Sequence, residues 1–181
     1  MIHITLKGGA VKEFEAPVTP MQIAKSIGEG LYKAVCVAKI DGVVRDLRTP
    51  IEKDAQVELL TFDDEEGKRA FWHTASHVMA QAVLHLFPGV KCAIGPAIKD
   101  GFYYDFDVEK PFTPEDLEKI EAEMKKIVKQ GIPLERFELP PAEALELMKD
   151  DPYKVELIEE HSGKGEAISF FKQGDFTDLC A

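Results

Sequence analysis

Apolar and polar residues alternate at the start of the chain. Ile2, Ile4 and Leu6 share one side, and after a Gly8-Gly9 turn the pattern resumes through Val11 and Phe14, which predicts a hairpin. The period then changes. Thr19 stands before Pro20 as an N-cap stands before the first helical residue, and Met21, Ile23, Ala24 and Ile27 make one apolar face of a short helix that Gly28 and Gly30 stop. Ala34 to Ile40 is apolar and rich in β-branched residues, Asp41-Gly42 is a two-residue hairpin turn, and Val43-Val44 opens a return strand. A last strand is predicted from Val57 to Phe62.

The predicted order is therefore β-β-α-β-β-β. A single helix must cover the apolar face of a mixed sheet, which is the ubiquitin-like β-grasp arrangement. A polar run from Asp63 to Arg69 follows, and the domain boundary is placed there, giving domains 1–62 and 63–181. The same run opens a helix of about twenty residues, its acids near the positive end of the helix dipole, ending before Pro88-Gly89. Phe71, Ala75, Val78, Met79, Ala82 and Leu86 fall on one stripe of that helix, the predicted core face. Beyond it come a strand over 101–106 and a second amphipathic helix, capped by Thr113, that runs through Leu117, Ile120, Met124, Ile127 and Val128 to Gly131. A strand over 134–138, helices opened by Pro140-Pro141 and spanning 153–161, and strands over 167–172 and 176–180 complete the pattern. The predicted fold class is α+β: a β-grasp domain, then a two-layer α/β domain built on a long central helix.

Composition narrows the function classes. Apolar residues make up 45% of the chain, enough for a buried core, which excludes a disordered chain. No apolar run approaches the roughly 18 residues of a membrane helix, and no secretory signal opens the chain, so a cytoplasmic location is expected. The net charge is −11 and the isoelectric point about 4.9, which argues against a basic sheath around nucleic acid. Any RNA contact must be local or supplied by another chain. The cysteines, Cys36, Cys92 and Cys180, are too scattered for a disulfide framework and read as reduced thiols.

The sharpest chemical feature is His73-Thr74-Ala75-Ser76-His77. Four residues apart on a helix, the two imidazoles lie about 40° from one another and can enter one site. A pair of solvated surface histidines has the same spacing. A metalloprotease reading fails, because Thr74 stands where that motif carries its general-base Glu. On the predicted last strand, alternation puts Asp178 and Cys180 on one side and Thr177 and Leu179 on the other. Two histidines and a thiol are zinc-type donors, but a closed structural site takes four ligands and this set supplies three. A buried, inert cysteine fits Cys180 equally well. Singly, Lys154 reads as a solvated lysine and Tyr103-Tyr104 as packing residues. There is no phosphate-binding loop, dinucleotide fingerprint or G-x-S-x-G elbow.

Several segments together resemble the amino-terminal region of the bacterial threonyl-tRNA synthetases, along essentially the whole chain. They are His73 to Ala80, Gly95-Pro96 with Gly101 to Phe106, Tyr153 to Ile158, and Asp178-Leu179-Cys180. The first domain resembles that family's TGS domain, a β-grasp module shared with certain GTPases and stringent-response enzymes. The second resembles its editing domain, related to one in alanyl-tRNA synthetases, which hydrolyses mischarged seryl-tRNA(Thr). The resemblance implies His73, His77, Lys154, Asp178 and Cys180 as catalytic residues, with Tyr104 lining the substrate site and the acceptor 3′ end of tRNA(Thr) as partner.

The family continues past the cysteine with Gly-Pro-His, whereas Ala181 follows Cys180 here, so the editing domain is expected to be incomplete. The family's catalytic and anticodon-binding domains do not match any part of this sequence. The chain alone is therefore expected neither to activate threonine nor to charge tRNA, and to be monomeric although full-length members are dimers. Serine lacks one methyl of threonine, and a pocket gains only about 1–3 kcal/mol from such a difference, so a second, hydrolytic site makes up the shortfall. By this reading His73 is the general base toward water, His77 and Asp178 fix substrate or water, Lys154 stabilises developing negative charge, and Cys180 shapes the pocket. No cofactor is expected; the rival use of the same residues is a zinc site on His73, His77 and Cys180, as in the related alanyl-type domains. The alternative function is a catalytically inactive module that binds tRNA or protein.

Overall fold

The computed structural model describes residues 1–180, and the chain forms two compact units, Met1–Trp72 and His73–Ala181. In the first, strands β1 (Ile2–Leu6), β2 (Val11–Phe14), β3 (Val35–Ile40), β4 (Val43–Arg45) and β5 (Ala55–Thr61) form one sheet in the order β2-β1-β5-β3-β4. Only the β1–β5 pair is parallel, as the mixed sheet of a β-grasp requires. Helix α1 (Pro20–Ile27) starts at a capping box, in which Thr19 accepts from the Gln22 amide and the Gln22 side chain accepts from the Thr19 amide. Its Ile23 and Ala24 are fully buried, and Ile23 packs with Ile2, Ile4 and Val57 of the sheet. A second short helix, α2 (Glu29–Ala34), was not anticipated. Gly28 ends α1 in an extended conformation, and the chain then restarts a helix that contains Gly30 rather than stopping at it.

The boundary between the units falls within α3 (Glu65–Leu86). In the second unit β6 (Lys91–Cys92) pairs with β9 (Phe106–Asp107), and β7 (Ala97–Ile98) pairs with β8 (Gly101–Phe102). After α4 (Pro114–Gln130), strand β10 (Leu134–Leu139), helices α5 (Pro141–Leu147) and α6 (Pro152–Ser162), and strands β11 (Ile168–Gln173) and β12 (Phe176–Cys180) complete the unit. The last strands form an antiparallel sheet, β10-β11-β12. Thr113 and Asp116 cap α4 reciprocally, and Gly131 closes it in the left-handed conformation, φ 61°.

Three apolar clusters hold this unit, one of them made by Ala80, Cys92 and Phe176. Val78, Ala82 and Val83 of α3 pack on Ile120 and Ile127 of α4, while Ala144 of α5 and Ile158 of α6 pack on Phe170 and Leu179 of the sheet. The predicted core stripe of α3 therefore holds from Val78 onward, but Phe71 is half-exposed and packs edge-on against Phe62 and Trp72 within the first unit. The opposite face of α3 is not a solvent face. Ser76, His77, Ala80 and Gln81 are all buried, so polar groups there must find partners inside the protein.

The strand predicted over 101–106 is broken. Tyr103 to Asp105 leave the ladder, with the Asp105 amide donating to the Ile94 carbonyl and the Ala93 amide to the Asp105 carbonyl. That excursion turns Tyr104 inward.

Candidate functional site

Four elements of the second unit converge on one polar cluster. Helix α3 supplies His73 and His77, the loop between β8 and β9 supplies Tyr104, α6 supplies Lys154, and β12 supplies Asp178 and Cys180. All six residues singled out in the sequence lie in this cluster.

Asp178 is its hub. The carboxylate is nearly inaccessible, at 3% exposure, and both its oxygens have donors. Oδ1 accepts from the Lys154 ammonium at 2.9 Å and from the Leu179 amide at 2.8 Å. Oδ2 accepts from the Tyr104 hydroxyl at 2.7 Å and faces His77 Nδ1 at 3.1 Å, an approach whose angle falls short of a well-aligned hydrogen bond. Burial alone would raise the carboxyl; the His77 contact and the Lys154 charge outweigh it and hold it at about 2. Asp178 is thus an anion at neutral pH.

Lys154 is buried as deeply, at 4% exposure. Asp151 caps α6 through the Tyr153 and Lys154 amides, and Ile158, one turn on, faces the core, so Lys154 projects inward from the first turn. Its Nζ also donates to the Tyr104 hydroxyl at 3.0 Å. Burial, and then the Asp178 charge, push the Tyr104 phenol above its usual range, so it stays a donor. Its ring rests on Gly95, where a Cβ would lie 2.1 Å from Tyr104 Cδ2; only glycine admits the ring there.

The mouth of the cluster is formed by His73 and Cys180, both half-buried. His73 Nε2 lies 3.0 Å from His77 Nε2 and 2.9 Å from Cys180 Sγ. Burial, then the Asp178 charge, push the Cys180 thiol up to about 11, so sulfur keeps its proton. Only one proton fits between the two Nε2 atoms. One ring therefore donates there and the other accepts. The Ser76 hydroxyl fixes the His73 carbonyl at 2.6 Å, and the Ser169 hydroxyl fixes that of Cys180 at 2.7 Å. A cavity of about 740 Å³ in the same unit lies elsewhere, between Phe87, Lys91, Lys110 and Phe112, and includes none of these residues.

Residues 2–61 match the TGS domain. Over the whole chain, the sequence is 60% identical to a threonine–tRNA ligase of Clostridium botulinum (strain Hall), 57% to one of Clostridium tetani and 56% to one of Acetivibrio thermocellus. The chain spans 28–29% of the length of these relatives. It matches the amino-terminal part of threonyl-tRNA synthetases. The polar cluster lies in the part of the chain that follows the match to the TGS domain.

The zinc-type donor set noted in the sequence is also assembled: ligand atoms of His73, His77 and Cys180 all lie within 4.8 Å of one another. They fit a three-ligand zinc site, provided the metal displaces the thiol proton. Sequence reasoning missed Asp151, Gln81 and Gln173, and named Gly95 only as part of a motif. A signal existed for Lys154, which stands one helical turn before the apolar Ile158 and so on the core-facing stripe of its helix. Gln81 stands eight residues after His73, on the same face, but the polar look of that face disguised its burial.

Proposed function

We propose that the second unit hydrolyses the ester of mischarged seryl-tRNA(Thr), acting on the tRNA acceptor 3′ end. The observation that carries this reading is the arrangement of the mouth. A half-exposed imidazole, His73, stands over a buried network of Asp178, His77, Lys154 and Tyr104. Such a network holds the His73 ring in one orientation at the mouth, where an imidazole can take a proton from water.

Water attacks the ester carbonyl and gives its proton to His73. The carbon–oxygen bond to the ribose breaks, and the ribose oxygen takes back the proton that His73 accepted and leaves as a hydroxyl, which returns His73 to its starting state. Lys154 has three N–H donors, two of them spent on Asp178 and Tyr104, which leaves one for developing negative charge. Both oxygens of Asp178 have donors, so it orients His77 and Lys154 rather than binding the seryl group. Cys180, a neutral thiol, walls the mouth. We infer activation of water without a metal. Zinc, if bound, would be held by His73, His77 and Cys180 and would supply Lewis acidity and a more acidic water. Stoichiometric zinc in the purified protein overturns the metal-free reading.

The test is release of serine from seryl-tRNA(Thr). His73→Ala is expected to slow it about 100-fold or more. Binding of tRNA with no turnover in the unaltered chain refutes hydrolysis and leaves a binding module.

A further inference from the structure

Beyond the proposed site, the buried seam between α3 and the β11–β12 hairpin continues in one direction. Residues 73, 77, 81 and 85 are spaced by four along α3, and each meets the hairpin in turn. His73 meets Cys180 and His77 meets Asp178; farther along, Gln81 meets Gln173 and Asp175, and His85 meets Asp175. The spacings are commensurate. Four helical residues advance about 6 Å and two strand residues about 6.7 Å, so His73 and His77 stay in step with Cys180 and Asp178, while Gln81 and His85 reach the turn that precedes the strand.

Gln81 is 1% exposed and Gln173 4%. The Gln81 carboxamide nitrogen donates to the Gln173 carbonyl at 3.2 Å and to Asp175 Oδ1 at 3.0 Å, while its oxygen accepts from the Gln173 side-chain amide. Gln173 ends β11 and pairs with Phe176, the first residue of β12. The carboxamide therefore grips the hairpin at its turn, where Asp175 stands three residues before Asp178. His85 presents its opposite nitrogens to Glu123 and Asp175 and braces the same turn. A strand shifted by one residue would send Asp178 and Cys180 to its other face, away from the histidines. Apolar packing opposes such a shift as well, since Leu179 packs with Phe170 and Ile158 whereas Phe176 packs with Ala80 and Cys92, and a slip displaces both. A carboxamide whose donors and acceptor are all matched does not tolerate it, since a slip strands buried polar atoms.

We propose that Gln81 is a positioning residue that sets the register of the β11–β12 hairpin on α3 and so holds Cys180 and Asp178 against His73 and His77. The consequence for hydrolysis rests on the function proposed above; the register claim does not.

The experiment compares the unaltered chain, Gln81→Leu, and the double variant Gln81→Leu/Gln173→Leu. Replacing both carboxamides by apolar groups restores packing and leaves no buried side-chain amide stranded, while the directional grip on the Gln173 carbonyl and Asp175 is lost. Two quantities are read alongside thermal stability: the rate at which iodoacetamide alkylates Cys180, with Cys36 as internal control, and kcat and KM for seryl-tRNA deacylation. Cys180 alkylation is expected to rise about tenfold over Cys36 in both variants, and kcat to fall about 10- to 100-fold with KM little changed, even where the double variant recovers stability. A double variant that recovers stability, thiol protection and kcat together overturns the proposal, because Gln81 is then only a packing residue. If the unaltered chain shows no deacylation, the hydrolytic reading fails by itself; thiol protection still decides the register claim, and unchanged Cys180 alkylation in Gln81→Leu refutes it.

Discussion

Asp178→Asn isolates the electrostatics of the cluster, because the side chain keeps its size and loses only its charge. In the folded protein this leaves the Lys154 ammonium buried at 4% exposure without its anion, 2.9 Å from a neutral oxygen. Removing one partner of a buried pair costs about 3–5 kcal/mol. Proton linkage provides an independent figure. The carboxyl falls from its ordinary 3.8 to about 2 on folding, and at about 1.4 kcal/mol per tenfold change in proton affinity this is worth about 2 kcal/mol. The expected loss at pH 7 is thus about 2–5 kcal/mol. Its sign with pH follows: a depressed carboxyl stabilises the fold fully above about 3.8, and that contribution fades as pH falls through about 2. With two compact units, a single unfolding midpoint would mix their stabilities, so the assay is native-state hydrogen exchange of the Phe170 and Ile158 amides, both in the second unit's core. A loss below about 1 kcal/mol at pH 7, or an undiminished gap between variant and unaltered chain below pH 2, would refute the reasoning.

Gly95→Ala puts a methyl 2.1 Å from the Tyr104 ring and must displace the hydroxyl from both Asp178 and Lys154; seryl-tRNA deacylation should drop by at least tenfold, with a TGS unit unchanged by NMR. Normal deacylation in this variant would show that Tyr104 is not needed where it sits. The His85 imidazole is raised above 6.5 by its hydrogen bond to Glu123, against partial desolvation, and further by Asp175. Lys126 stands 3.7 Å from Glu123 and Gln81 holds Asp175, so these are the groups that set the field around the ring. A raised imidazole contributes stability in full below about 6.5 and loses it as pH rises through the higher folded value. Melting of the unaltered chain should therefore fall relative to His85→Gln between pH 6 and pH 9; a constant difference across that range would count against the bridge.

Local chemistry alone decided much of this protein. The hairpin through Gly8-Gly9, the Thr19 and Thr113 caps, the Asp41-Gly42 turn and the extent of β12 all follow from interactions within a few residues, which is why they are legible in sequence. The six site residues stood out through their types, their spacing and a family resemblance carried by short motifs. Tertiary structure alone decided what those residues face. Nothing local says that the histidine side of α3 is buried, that Gln81 meets Gln173 across 92 positions, or that a would-be strand breaks at Tyr103 to admit a phenol to Asp178. Burial converts ordinary polar side chains into an obligatory network, because a polar atom removed from water must find its partner wherever the fold brings one. That condition depends on contacts distant in sequence, and no periodicity of one segment can express it.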